Sequence, residues 1–161
     1  MGIYRNLELE ISEAGAEFIA GWEGVELEAY QDVKGIWTIG VGHIEGVQPG
    51  DTLTYDEAIA LFQKDVTEYV DAVNEVLSVP LSQRQMDSLV SLCFNIGIHG
   101  FSTSTLARKL NRREYRSAAD EFVRWNKVTD QGRLREVKGL TNRRLDEARM
   151  FRQGTYQRAG R

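Results

Sequence analysis

The chain has 161 residues, with 20 Lys+Arg, 24 Asp+Glu and 42% hydrophobic residues, a composition typical of a globular protein. A chain of this length builds one domain or two small lobes, which excludes several large independent domains. Its single cysteine, Cys93, excludes an intramolecular disulfide, and with only His43 and His99 beside it no zinc or iron ligand cluster is expected. We therefore expect no cofactor and no metal.

No stretch approaches the length of about 18 apolar residues that a membrane span needs, and charged residues interrupt the N-terminal sequence. We expect no signal peptide, no anchor and no stable membrane insertion.

The overall charge of −4 conceals two oppositely charged halves. Residues 1–80 hold 3 basic and 16 acidic side chains, a net charge of −13, whereas residues 81–161 hold 17 and 8, a net charge of +9. The basic half favours an anionic partner, although solvated helix faces explain it equally well. Zinc-finger, RNP and basic-zipper motifs are missing from the sequence, so we expect no nucleic acid as partner.

The predicted elements begin with a helix over about 12–23. Ser12 fits the N-cap of this helix and Gly24 fits the residue just after its end. Residues 28–45 then alternate with a period of two around a turn, which predicts a small antiparallel hairpin.

Helices dominate the remainder of the chain. Thr54 to Glu57 form a capping box that opens a helix of about 24 residues, roughly 36 Å long, ending before Pro80. We expect this helix to link two lobes. Ser82 to Gln85 form a second capping box, which opens a buried central helix. Further helices are predicted at about 102–111, 115–125 and 141–152.

The predicted fold is α+β and predominantly helical. A small N-terminal lobe, residues 12–78, contains the hairpin and the linking helix. An all-helical C-terminal lobe comprises residues 79–161, and residues 1–11 are expected to pack on it.

Candidate catalytic residues lie where the first helix meets the hairpin. Glu23 is in the last helical turn, where unpaired carbonyls disfavour a second negative charge and so favour a protonated carboxyl, the form that a general acid requires. Asp32 opens a polar turn and is expected to stay ionised, so the two carboxyls differ as an acid and a base do. Thr38 shares a predicted strand face with Gly40 and Gly42, a strip of bare backbone on which a saccharide fits while the hydroxyl positions a water.

Each of the three residues also has a non-catalytic interpretation. Glu23 fits a solvated helix-end carboxylate, Asp32 fits the first position of a turn with Gly35 at its fourth, and Thr38 fits an ordinary strand residue beside a bulge. The joint spacing Glu-x8-Asp-x5-Thr across a helix end, a turn and a strand favours the catalytic interpretation.

The residues around this constellation resemble the catalytic signature of the phage-type lysozymes, the endolysins of T-even and lambdoid phages. The similarity covers roughly residues 3–156, in the same order along the chain. It is carried by Trp22-Glu23-Gly24, Ala29-Tyr30-Gln31-Asp32, Trp37-Thr38-Ile39-Gly40-Val41-Gly42-His43, Leu61-Phe62-Gln63-Lys64-Asp65-Val66, Phe94-Asn95-Ile96-Gly97, Arg124-Trp125, Gly139-Leu140-Thr141-Asn142-Arg143-Arg144 and Phe151-Arg152-Gln153-Gly154-Thr155.

The resemblance implies a lysozyme-like fold and hydrolysis of the β-1,4 bond between N-acetylmuramic acid and N-acetylglucosamine in peptidoglycan. By position, Glu23 is then the general acid, while Asp32 and Thr38 hold the attacking water on the opposite face of the sugar, which inverts the anomeric carbon. Inversion leaves room for that water, so we expect the two carboxyl groups to lie about 6.5–9.5 Å apart.

The resemblance also assigns supporting residues. Arg143 matches the arginine that reaches across the cleft to the catalytic acid, and His43 with Asp65 matches a structural ion pair of the family. Tyr30 and Asn95 match positions that line the substrate cleft. Trp125 does so too, although a core role explains this residue equally well.

One segment departs from the family. Residues 127–138 are longer than the corresponding link in the T-even enzyme, and Asp130-Gln131-Gly132 indicates a turn. We expect a protruding loop or hairpin near the cleft, which either grips phosphorylated or carboxylated wall polymer or is a tolerated surface insertion.

Two other function classes fit parts of the sequence: a lytic transglycosylase, which keeps Glu23 but forms an anhydro product without water, and a non-catalytic module that binds anionic polymer. For the enzyme we expect a monomer that depends on a separate pore-forming protein. It would reside in the host cytoplasm before release and then in the periplasm and cell wall, with carriage in a virion as the alternative.

Overall fold

The computed structural model describes Asn6 and residues 9–158. These residues form α-helices, one short 3₁₀ helix (Phe122–Arg124) and two antiparallel strand pairs. In chain order the elements are α1 (Glu13–Glu23), β1 (Glu26–Gln31), β2 (Trp37–Gly40), α2 (Tyr55–Asp65), α3 (Thr67–Val76), α4 (Gln83–Ile96), α5 (Ile98–Ser102), α6 (Thr105–Asn111), α7 (Tyr115–Ala119), β3 (Lys127–Asp130), β4 (Arg133–Glu136) and α8 (Lys138–Gln153).

Helix α1 confirms the first predicted helix. The Ser12 hydroxyl accepts a hydrogen bond from the Gly15 amide at 3.0 Å, which satisfies one of the free amides at the helix start. Phe18 and Ile19 face the core, and Gly24 ends the helix with a φ of 93° that only glycine adopts easily. Glu23 is therefore the last residue of α1, immediately before the chain turns into β1.

Strands β1 and β2 confirm the predicted antiparallel hairpin, with Tyr30 opposite Thr38. The predicted extension of the strand to His43 is wrong. Strand β2 ends at Gly40, and the chain then turns back so that Ile39 and His43 exchange backbone hydrogen bonds of 2.8 and 2.9 Å.

This turn also overturns the expected strip of bare backbone. Gly40 has a φ of 67° and is buried, and a Cβ there would lie 3.6 Å from Leu53 and 3.8 Å from Ala58. Gly40 thus faces the interior, whereas Gly42 is exposed. Thr38, Gly40 and Gly42 do not form one continuous strand face.

The prediction of a single linking helix of about 24 residues is also wrong, because the helix is divided at Val66. The Thr54 capping box is present, with the Glu57 carboxylate accepting from the Thr54 amide at 2.8 Å. At Val66, however, ψ is close to 0°, and its carbonyl accepts from the Tyr69 amide at 2.9 Å, as in a 3₁₀ turn, as well as from the Val70 amide at 3.1 Å. The β-branched pair Val66 and Thr67 is a weak helix former, and Val66 is completely buried, so core packing holds this break.

Helix α4 lies at the centre of the C-terminal half and confirms the predicted buried helix and its Ser82 capping box. It packs against α1, α3, α5 and α8. The predicted helix at 102–111 corresponds to α6, which begins at Thr105 after its cap Ser104, and the short helix α5 before it was not predicted. The segment 115–125 is divided into α7 and the 3₁₀ helix, and α8 begins three residues earlier than predicted.

The C-terminal half is not entirely helical. Residues 127–136 form a second hairpin, β3 and β4, around Gln131 and Gly132, whose φ values of 50° and 79° fit a tight two-residue hairpin turn. The segment is thus a hairpin, as one of the two expected forms, and every residue of both strands is exposed, whereas its expected place near the cleft stays a prediction.

The predicted packing of residues 1–11 lies mostly outside the described residues. Asn6, which is described, donates to the Val79 carbonyl and accepts from the Leu81 amide, both at 3.0 Å. The boundary between lobes at residues 78 and 79 stays a prediction. Among the residues described, no helix combines the length and the apolar character needed to cross a bilayer.

Cys93 provides a test of the central helix. The thiol is completely buried on α4, and burial raises its pKa to about 12. Because the thiolate is the reactive form, we expect Cys93 to resist Ellman's reagent at pH 8 in the folded protein and to react at once in denaturant. Rapid labelling under native conditions would contradict this packing of α4.

Candidate active site

Glu23 lies at the C-terminal end of α1 with its side chain 30% exposed. One carboxylate oxygen, Oε2, lies 2.5 Å from Nη1 of Arg143, which reaches it from α8 and is almost completely buried. The acid and the arginine are 120 residues apart in the chain. The contact therefore joins the end of the first helix to the last helix.

Beneath this pair lies a second layer of buried charge. Glu147 on α8 is completely buried, and its carboxylate accepts from Arg143 Nε at 3.2 Å and from the Ser91 hydroxyl on α4. Arg144, also completely buried, pairs with the other carboxylate oxygen of Glu147 at 2.7 Å. Burial lowers the pKa of Arg144, and the charge of Glu147 opposes that shift. The four side chains alternate in sign from the surface inward.

Asp32 occupies the turn between β1 and β2. Its Oδ1 atom accepts hydrogen bonds from the amides of Lys34 at 2.8 Å and Ile36 at 2.9 Å. These two hydrogen bonds are typical of an aspartate that forms a turn, which is the non-catalytic interpretation of Asp32. Within the described residues no group bonds Oδ2, so this oxygen is available to a water.

Thr38 is nearly completely buried on β2, at 4% exposure. Its hydroxyl donates to the Ile36 carbonyl at 2.9 Å. Since a hydroxyl has one donor and two acceptor sites, Thr38 can still accept from a water. Both Asp32 and Thr38 bond to Ile36, so one backbone segment orients both side chains.

A cavity of about 460 Å³ opens beside Glu23, between the hairpin and helices α2, α3 and α4. Tyr69 and Phe94 form an aromatic wall, with ring centroids 5.1 Å apart. Carboxyl groups line the rest of the cavity at several points: Glu23, Glu26, Glu45, Asp65 and Glu68.

The predicted site residues divide between the cavity and its surroundings. The members that line it are Glu23, Tyr30, His43 and Asp65. The members that do not line it are Asp32, Thr38, Asn95, Trp125 and Arg143. The second hairpin, residues 127–136, does not line it either.

His43 and Asp65 are brought together by the structure. Nδ1 of His43 lies 2.8 Å from Oδ2 of Asp65, and Nε2 lies 2.9 Å from the Glu45 carbonyl. The imidazole therefore ties the turn after β2 to the end of α2, forming one side of the cavity.

Of the remaining predicted residues, two are exposed and one packs on the core. Tyr30 and Asn95 are exposed, the first on β1 and the second near the end of α4. The Trp125 ring packs on the core beside Gly100, 3.5 Å from the position that a Cβ of that glycine would occupy, which agrees with the core role given as the alternative.

Within the described part of the chain, no group of three or more His, Cys, Asp or Glu is arranged to hold a metal ion.

Sequence analysis missed the residues that support the site. Glu147 lies four residues after Arg143, a spacing that places two helical side chains together, and this signal was available. Glu26, Glu45 and Glu68 gave no signal, because nothing local distinguishes a carboxylate that lines a cavity from one in bulk solvent.

Comparisons with known proteins agree with this architecture. An endolysin of Acyrthosiphon pisum secondary endosymbiont phage 1 is 40% identical over 143 residues, which cover 89% of this chain and 98% of that protein. The structure of an endolysin from Escherichia coli O157:H7 phage FAHEc1 matches with a TM-score of 0.82 and 37% identity, covering 96% of this chain and 99% of that one. The muramidase domain of SpmX from Asticaccaulis excentricus matches with a TM-score of 0.79 and 37% identity, covering 89% and 98%.

These similarities define the class of the protein as a glycoside hydrolase with a lysozyme-like α+β fold. The family model described as phage lysozyme matches residues 20–147. The chain belongs to the phage lysozyme family, and its activity is that of a lysozyme on peptidoglycan.

Glu147→Gln tests the buried charge layer. Removing one partner leaves the guanidinium of Arg144 buried beside a neutral amide, so we expect the free energy of unfolding to fall by about 3 kcal/mol. Denaturant unfolding measures this change. The matched control is Glu136→Gln on the exposed strand β4, where a change within about 0.5 kcal/mol is expected. Equal effects of the two substitutions would contradict the role of Glu147.

Proposed function

We propose that the protein hydrolyses the β-1,4 bond between N-acetylmuramic acid and N-acetylglucosamine with inversion at the anomeric carbon. Glu23 donates its proton to the glycosidic oxygen as the bond breaks. Asp32 and Thr38 hold the water that attacks the opposite face of the sugar. The carboxylate of Asp32 also stabilises the positive charge that develops on the sugar in the transition state.

The observation that carries this proposal is the position of Glu23. Its carboxyl lies at the rim of a 460 Å³ cavity, held by Arg143 on one side and facing solvent on the other. The free Oδ2 atom of Asp32 and the remaining acceptor sites of Thr38 support the water-binding role, because both groups are already oriented by Ile36.

Roles at the substrate cleft are proposed for four further residues. Tyr30 lines the cavity, where an aromatic ring offers a flat surface to a sugar ring. Asn95 and Trp125 are proposed to contact the glycan beyond the cavity, and Arg143 to orient Glu23. His43 and Asp65 are proposed to act structurally, by holding the cavity wall in place.

Glu23→Gln tests the acid. Glutamine keeps the shape and a hydrogen-bond acceptor for Arg143 but has no proton to give, so we expect clearing of purified sacculi to slow by at least about 100-fold. The matched control is Glu17→Gln, the same substitution at an exposed position of the same helix, which should clear sacculi at the wild-type rate. Retained activity in Glu23→Gln would remove the assignment of the acid.

The products of the wild-type enzyme test the rest of the mechanism. An inverting hydrolase releases the α-anomer first, which proton NMR detects before mutarotation. A retained β-anomer would exclude inversion. A product lighter by one water, seen by mass spectrometry, would identify a lytic transglycosylase instead.

We also infer that the basic C-terminal half docks on the anionic cell wall. Several exposed basic side chains in this half form no ion pair within the described residues: Arg108, Arg113, Arg116, Lys127, Arg133 and Lys138. They present positive charge to long-range attraction by a polymer that carries carboxylates or phosphates.

Salt dependence tests the docking. Because the Debye length falls from about 10 Å at 0.1 M salt to about 3 Å at 1 M, salt should weaken binding to whole sacculi far more than cleavage of a short neutral oligosaccharide. The double variant Arg113→Gln, Arg116→Gln should reduce both binding and its salt dependence, whereas Lys64→Gln in the acidic half should not. Equal effects of salt on binding and on oligosaccharide cleavage would refute the docking.

The route to the wall belongs to the same proposal. We infer that the protein acts as a monomer, passes from the host cytoplasm through a pore made by another protein and acts on the wall after release. Carriage in a virion is the alternative, and detection of the chain in purified particles would establish it.

A further inference from the structure

The C-terminal segment after α8, residues 154–158, returns to the first helix. Gly154 ends α8 in the left-handed conformation, with a φ of 75°, and its amide bonds to the Met150 carbonyl at 2.9 Å. A Cβ on Gly154 would lie 3.1 Å from Cδ of Arg84. The chain therefore turns sharply here and runs back across α1.

The segment first contacts the structure at the start of α1. The Tyr156 hydroxyl donates to Oδ2 of Asp87 at 2.6 Å. Asp87 is completely buried on α4 and also accepts from the Ser12 amide at 3.0 Å and the Ser12 hydroxyl at 2.5 Å. One carboxylate thus joins the C-terminal segment, the N-cap of α1 and the central helix.

The segment makes its second contact at the other end of α1. The guanidinium of Arg158 donates to the carbonyl of Gly21, in the last turn of the helix, and lies 5.8 Å from the ring centroid of Trp22. Carbonyls in a last turn lack helical partners and carry partial negative charge, which a cation stabilises. Helix α1 has no basic residue of its own in that turn, so Arg158 supplies the charge from elsewhere in the chain.

Glu23 follows Trp22 directly, so both contacts act on the helix that carries it. We propose that residues 154–158 are a positioning clamp for α1, in which Arg158 orients the last helical turn and thereby places the Glu23 carboxyl. The clamp rests on the proposed role of Glu23 as the acid. Arg143 holds the carboxyl itself, whereas Arg158 holds the backbone behind it.

Gly21 leaves room for this arrangement. A Cβ on Gly21 would lie 2.6 Å from Cζ of Arg158, the far end of a flexible side chain. Gly21→Ala therefore displaces the flexible guanidinium. The same change favours the helix, because alanine is a better helix former than glycine. The substitution Gly21→Ala therefore distinguishes loss of the clamp from loss of folding.

The experiment is a double-mutant cycle with Gly21→Ala and Arg158→Ala. Each substitution should lower kcat for glycan cleavage by about 10-fold with little change in KM, because a misplaced acid affects the chemical step rather than binding. The two effects should not add, since both remove one contact. Arg158→Lys, which can still donate to the Gly21 carbonyl, should recover most of the activity. The control is Gln157→Ala, an exposed neighbour in the segment, which should leave kcat unchanged.

Stability and hydrogen exchange complete the test. The melting temperature of Gly21→Ala should equal or exceed that of the wild type while its kcat falls. The Gly24 amide, which bonds to the Ala20 carbonyl at 2.8 Å, should exchange faster in Arg158→Ala.

Separate results overturn the clamp and the acid assignment. Wild-type kcat in both single variants, with Glu23→Gln inactive, would overturn the clamp and leave the proposed function intact. Fully additive losses in the double variant would also overturn it. Unchanged protection of the Gly24 amide in Arg158→Ala would overturn it whatever Glu23 does, whereas an active Glu23→Gln would overturn the acid assignment.

Discussion

The candidate active site depends on a row of four charged side chains that runs from the cavity into the helical core. Glu23, Arg143, Glu147 and Arg144 alternate in sign, and their exposure falls from 30% to zero along the row. A buried charge is costly unless it is paired, so any shift of α8 against α1 or α4 would leave one of them without its partner. The network thus specifies one relative placement of three helices, and the position of Glu23 follows from it.

Helix α1 is the element that transmits this constraint to the hairpin. Its start is bound to α4 through Ser12 and Asp87, and its last residue is Glu23. Gly24 then turns the chain into β1, so the hairpin that carries Asp32 begins within a few residues of the acid. A short connection of this kind keeps the two carboxyl-bearing elements together, while the C-terminal part of the chain supplies Arg143 and Arg158 behind them.

Charge is arranged differently inside the cavity and outside it. Five carboxyl groups line the cavity, whereas the exposed surface of the C-terminal half carries arginines and lysines that form no ion pair within the described residues. This distribution supports the proposals that the cavity receives the glycan and that the outer basic surface docks on anionic wall polymer.

The local parts of the fold were predictable. Ser12, Thr54 and Ser82 mark helix starts because a cap acts within three residues, and the period of two around the turn at Asp32 is equally short in range. The break at Val66 was not predictable, since it follows the packing of a completely buried side chain. The second hairpin was predicted only as one alternative, because it is exposed and has no apolar pattern.

Local sequence is sufficient to predict the helix caps, the first hairpin, the spacing of Glu23, Asp32 and Thr38, and the charge of each half. Helix packing brings together charged groups that lie far apart in the chain, and only the resemblance to phage-type lysozymes indicated the pair of Glu23 and Arg143 beforehand. The Glu23 and Arg143 pair joins residues 120 positions apart, and the Arg158 contact with Gly21 joins residues 137 apart. Local patterns carry no information at such separations, because the partner of a buried charge is determined by how whole helices pack.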